Sequence, residues 1–229
     1  CYPLTVSDEF SRFIIGCQGF PTIRGRDVYE CLWRHFEDHG LPRRIRSDNG
    51  VPFANTGVCG LSRLSVWWLR LGISLDRNQP RHPEQNGCHE RMHRSLKAAV
   101  CRPPAQTMTG QQRRFDRFRA EYNDIRPHES LGMATPSESY RPSPRAMPKT
   151  LPEISHPGHY EVRKVDSAGM MRLHGDAIFV SNALAGQHVG LVEVDDRLWA
   201  ISFMSLSLGQ YDARRRQFYP AGLRNARSE

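Results

Sequence analysis

Two acidic residues stand in settings suited to phosphoryl-transfer chemistry. Asp48 lies in Arg46-Ser47-Asp48-Asn49-Gly50, where a short strand runs into a turn. Glu90 lies in His82-Pro83-Glu84-Gln85-Asn86-Gly87-Cys88-His89-Glu90-Arg91-Met92-His93-Arg94-Ser95-Leu96-Lys97, where a polar loop runs into a helix rich in cations. Two carboxylates can hold a divalent cation, and neighbouring cations can hold a polyanion. A carboxylate at the carboxyl end of a sheet strand is where ligands bind in α/β folds. The plainer reading of Asp48 is an ordinary Asp-Asn-Gly turn. That of Glu90 is a surface Glu–Arg pair worth a few tenths of a kcal/mol.

Helical spacing sharpens Glu90. Glu90, Arg94 and Lys97 recur at i, i+4 and i+7 on one stripe, while Met92, Leu96 and Val100 form an apolar stripe. The same stretch also spells His89-Glu90-x-x-His93, the pattern of zinc proteases, in which two imidazoles bind Zn²⁺ and the acid is the base. Gly87 puts that pattern at the start of the helix, and no third-ligand pattern follows downstream. Packing or DNA contact is the alternative for the two histidines.

The elements that must position these residues alternate. Leu4 to Ser7 and Phe13 to Cys17 read as two strands, and Gly25 to His39 as a helix with Val28, Leu32, Trp33 and Phe36 on its apolar face and Gly40 as its stop. Arg43 to Ser47 is a strand, Leu61 to Leu71 a helix and Ile73 to Leu75 a strand. Residues 77–86 are a loop, followed by helices over Gly87 to Cys101 and Gln111 to Asn123. This is a mixed α/β layer. The proline-rich stretch around 141–154 reads as a linker. Beyond it, Tyr160 to Val165, Met170 to Leu173, Ala177 to Val180, His188 to Val194 and Leu198 to Phe203 read as short strands, with a turn at Asp195-Asp196. That pattern predicts a small β-barrel over 155–229, ending in a basic tail at Arg214-Arg215-Arg216.

Composition narrows the partners. The 229 residues carry a net charge of +8. The excess lies wholly in residues 1–150, while residues 151–229 balance. All the basic residues except Lys97, Lys149 and Lys164 are arginine, the side chain matched to bidentate phosphate contact. Arginine excess also arises from codon usage, so charge alone does not decide for nucleic acid. No apolar run is long enough to cross a membrane, and the opening residues do not form a signal peptide. The six cysteines are widely spaced with no Cys-x-x-Cys, so buried free thiols in a reducing cytoplasm are expected.

Ser47-Asp48-Asn49-Gly50 and Pro83-Glu84-Gln85-Asn86-Gly87-x-x-Glu90 with Lys97 together resemble the integrase core of insertion-sequence transposases and retroviral integrases. So do Leu4-Thr5-Val6-x-Asp8-x-x-Ser11-Arg12 and Glu121-Tyr122-Asn123-x-x-Arg126-Pro127-His128-x-x-Leu131-Gly132-x-x-Thr135-Pro136. The resemblance covers about residues 1–145, with residues 155–212 more weakly resembling the β-barrel that follows this core in some transposases. It implies a ribonuclease H-like fold over 1–140 and DNA cleavage and strand transfer with Mg²⁺ or Mn²⁺. Asp48 and Glu90 are then the second and third members of an Asp-Asp-Glu metal-binding triad. The first would precede Cys1, as in an N-terminally truncated chain, and the fragment alone would be inactive; Asp8 matches a non-catalytic acid. The resemblance further implies that Arg94, Lys97, Asn86, Gln85 and Arg46 contact DNA. It implies transposon ends and target DNA as partners, a homo-oligomer in the DNA complex, no membrane, and a cytoplasmic, nucleoid-associated protein. A non-catalytic DNA-binding regulator is the alternative.

Overall fold

The computed structural model describes residues 1–47, 50–55, 57–77 and 87–221. They form a mixed α/β protein in two compact units, residues 1–42 with 78–147 and residues 43–77 with 148–229.

In the first unit, β1 (Tyr2–Ser7) and β2 (Ile14–Phe20) pair antiparallel, with Thr5 opposite Cys17. Helix α1 (Gly25–His39) buries Val28, Cys31, Leu32 and Phe36. The expected face holds except that Cys31 is buried where Trp33 is only half-buried. Gly40 ends α1 with φ 76°, and a side chain there would meet the Ser143 carbonyl at 2.3 Å. Helix α3 (Gly87–Val100) buries Met92, Leu96 and Val100, the predicted apolar stripe. It packs on α4 (Met108–Asp124), whose Phe115, Phe118 and Tyr122 complete one core with Ile14 and Cys17. Short α5 (Pro136–Ser139) starts on a Thr135–Glu138 capping box.

Side chains of α4 cover the outer edge of β2. The buried Asn123 accepts from the Ile14 N–H at 2.8 Å and donates to the Ile14 carbonyl at 3.0 Å. Gln112 accepts from the Gly19 N–H and donates to the Cys17 carbonyl, both at 2.9 Å. These amides supply the partners that a neighbouring strand would otherwise give.

In the second unit, β3 (Arg44–Ser47) and β4 (Ser74–Arg77) pair in parallel, bridged by α2 (Arg63–Arg70). Ser62 caps α2 by accepting from the Ser65 N–H at 3.1 Å. The helix therefore begins two residues later than its apolar run. It is buried nearly all round, with Trp67 and Trp68 inside.

The C-terminal strands are β5 (Glu161–Lys164), β6 (Met170–Leu173), β7 (Asp176–Phe179), β8 (His188–Asp195), β9 (Leu198–Phe203), β10 (Leu206–Asp212) and β11 (Gln217–Pro220). β6 and β7 make a hairpin turning at His174-Gly175, both with positive φ, as a two-residue turn requires. The others form an antiparallel sheet in the order β11-β10-β9-β8-β5. The module is all-β as expected, but the sheet is open rather than closed into the predicted barrel: β5 and β11 are its two ends and do not pair with each other. Val189, Leu191, Ile201, Phe203 and Leu208 form its core, which also takes in Leu61, Val66 and Leu69.

The expected basic tail is instead the β10–β11 hairpin. Arg214 pairs with Asp196, Arg215 with Asp212 at 3.7 Å and Arg216 with Asp176 at 3.3 Å. Asp176 also accepts from the Tyr211 hydroxyl at 2.8 Å, and burial followed by this bond pushes the phenol up to about 12.

Candidate nucleic-acid and metal site

Glu90 lies in the first turn of α3 and Lys97 in its last, which complements the helix dipole at both ends. Glu90, Arg94 and Lys97 are all exposed, opposite the buried Met92–Leu96–Val100 stripe. The helix thus presents one hard oxygen donor and two cations to solvent. Asp48, Gln85 and Asn86 lie outside the described residues.

Arg46 occupies a different setting. Its guanidinium grips Asp76 on the paired strand, Nε at 3.1 Å and Nη2 at 2.8 Å, with Arg44 at 3.8 Å from the same carboxylate. Arg46 and Asp76 are register partners, so the fork ties β3 to β4 immediately before Ser47-Asp48. Sequence reasoning missed Asp76, because only strand pairing brings it opposite Arg46.

The two histidines of the protease-like pattern face β1. Thr5 Oγ1 is 2.6 Å from His93 Nε2 and 3.1 Å from His89 Nε2, and Ser7 Oγ is 3.3 Å from His89 Nδ1. The rings lie 4.6 Å apart. Burial, then the charges of His89 and Lys97, push His93 down to about 4. Glu90 is exposed, and among the described residues no group of three or more His, Cys, Asp or Glu gathers. Among the described residues, no further His, Cys, Asp or Glu joins the two histidines as the third ligand that a zinc protease uses. Thr5 and Ser7 carried a signal that went unread: they alternate onto one strand face, as the histidines recur on one helix face.

The Glu121-to-Pro136 motif is largely architectural. Asn123 holds β2, and the Arg126 guanidinium lies 5.7 Å over the Tyr122 ring. His128 meets Tyr122 edge-on, and Gly132 turns with φ 64°. Asp8 accepts from both the N–H and the hydroxyl of Ser11, at 2.8 and 2.7 Å, capping the β1–β2 turn.

Cys17, Cys31 and Cys59 are buried free thiols, and burial drives Cys17 up to about 12. Cys1 is an exposed free thiol, unlike the buried ones expected.

Comparison with known proteins gives the same direction. Residues 71–136 match the integrase core domain family. The chain is 28% identical over 142 residues to the insertion element IS476 uncharacterized 39.2 kDa protein of Xanthomonas euvesicatoria, covering 59% of this chain and 38% of that protein. It is 27% identical over 136 residues to the insertion element IS407 uncharacterized 31.7 kDa protein of Burkholderia multivorans, covering 59% and 47%. The chain thus spans less than half the length of these curated relatives. Among solved structures, a simian T-cell lymphotropic virus intasome matches at 15% identity and TM-score 0.48, covering 89% of this chain and 70% of that one. The catalytic core domain of BIV integrase matches at 22% identity and TM-score 0.46, covering 59% and 82%. The segment with α3 at its centre matches the integrase core domain family, and over 59% of its length the chain is similar to proteins of insertion elements.

Proposed function

We propose that this chain is the catalytic portion of a transposase that cuts and joins DNA by phosphoryl transfer on a ribonuclease H-like core. The observation that carries the reading is the exposed Glu90–Arg94–Lys97 stripe, which lies inside the segment matching the integrase core family. Asp48 and Glu90 are assigned as ligands of Mg²⁺ or Mn²⁺. Carboxylate oxygen is the donor these ions prefer, and Glu90 offers it to solvent. A bound divalent ion would supply Lewis-acid activation and charge neutralisation at the phosphate. Arg94 and Lys97 hold the phosphate backbone in register. Gln85 and Asn86 are assigned to contact with a DNA end. Arg46 contributes through its fork with Asp76, holding the strand that leads into Asp48.

The functional division we propose is core 1–140, linker 141–154 and β module 155–229, with transposon ends and target DNA as partners. A homo-oligomer acts on paired ends, in the cytoplasm at the nucleoid. Of the three acids that the resemblance calls for, residues 1–229 supply two. These residues alone are therefore expected to bind DNA and to leave supercoiled plasmid unnicked in Mg²⁺ or Mn²⁺. Robust Mg²⁺-dependent nicking lost in Glu90→Gln would overturn the missing-acid reading and keep the site. Nicking that survives Glu90→Gln would sink the site itself.

A further inference from the structure

The His89–His93 pair is built differently from the exposed acid beside it. Both imidazoles are half-buried on the side of α3 that faces β1, and both present Nε2 to one atom, Thr5 Oγ1, at 3.1 and 2.6 Å. On its far side, His89 sets Nδ1 3.3 Å from Ser7 Oγ. A metal-binding histidine is commonly arranged this way. One ring nitrogen donates its proton to an outer partner, which fixes the tautomer and leaves the other lone pair pointing inward.

We propose that His89, His93 and Thr5 form a transition-metal clip that fastens α3 to β1, taking Zn²⁺ or Ni²⁺ through two imidazole nitrogens and one hydroxyl. Donor atoms each about 2.0–2.2 Å from one ion lie about 3.0–3.5 Å from one another; Thr5 Oγ1 already keeps 3.1 Å from His89 Nε2, and its 2.6 Å hydrogen bond to His93 Nε2 lengthens as the ion takes its place. The ion enters with a small rotation of the Thr5 side chain and water completes its shell. The third donor is a hydroxyl, so the site is separate from any His, Cys, Asp or Glu cluster. Imidazole suits Zn²⁺ and Ni²⁺ and is a poor ligand for Mg²⁺, so the clip does not compete for the ion assigned to Glu90. The inference does not rest on the DNA-processing reading.

The test is calorimetric titration of the whole chain with NiCl₂, in a Cys88→Ser background that removes the nearby thiol. One equivalent is expected to bind, with affinity falling from Ni²⁺ to Co²⁺ to Mn²⁺ and unchanged by millimolar Mg²⁺. His89→Ala and His93→Ala should each weaken binding by about tenfold or more, and Thr5→Val by less. Glu90→Gln should leave Ni²⁺ binding intact. In NMR, Co²⁺ should broaden the signals of Thr5, Ser7, His89 and His93 first, a readout on the unaltered fold. Unchanged Ni²⁺ affinity in the His89→Ala/His93→Ala double variant would overturn the clip. So would loss of binding in Glu90→Gln, or broadening centred on cysteines.

Discussion

At the scale of single residues, burial sets the chemistry as firmly as residue type does. His93 and His35 are both pushed down to about 4, chiefly by burial. The unfolded chain protonates them near the ordinary histidine value while the folded chain holds them neutral. The unfolded state thus binds more protons between about pH 6.5 and 4, and stability falls as pH drops through that window. Urea unfolding at stepped pH should show the midpoint falling across it, with the fall reduced in His35→Gln. Asn123 makes a second residue-scale case. Replacing it with leucine orphans the Ile14 N–H and carbonyl inside the core, at a cost of about 1–3 kcal/mol for each group. A thermal melt of Asn123→Leu should show a clear loss of stability, and an unchanged melting temperature would remove its assigned role as an edge cover.

At the scale of elements, local chemistry fixed most of the helices. Gly40 stops α1 as its position foretold, and the Met92–Leu96–Val100 stripe of α3 is buried as its spacing foretold. The hairpins were harder to read. β9 and β10 turn through Met204 with φ 52°, a residue that does not advertise a turn. β10 then carries an irregularity at Gly209, where φ is 141° and a side chain would meet the Tyr219 carbonyl at 2.2 Å. Gly209→Ala should therefore destabilise the β10–β11 hairpin by about 1–3 kcal/mol, seen as a lower denaturant midpoint at unchanged slope. Exposed helices carry the charge. Arg94 and Lys97 on α3, and Arg113 and Arg117 on α4, are exposed and make no ion pair among the described residues.

For the whole molecule, that distribution separates two kinds of arginine. The β10–β11 arginines are committed to Asp196, Asp212 and Asp176, so they have little charge left for phosphate. DNA affinity measured against salt should lose about one unit of slope for each of Arg94→Ala and Lys97→Ala. Arg214→Ala should leave the slope nearly unchanged. The sequence by itself determined the alternating elements, the free thiols, the apolar faces and the stripe that joins Glu90 to Arg94 and Lys97, because these follow from local spacing and from turn and cap chemistry. Only the tertiary structure decided that Arg46 is locked to Asp76, that His89 and His93 converge on Thr5, and that the C-terminal sheet stays open. Each depends on which strand or helix lies beside which: spacing can put Thr5 with Ser7 on one strand face and His89 with His93 on one helix face, but it does not say which two faces meet.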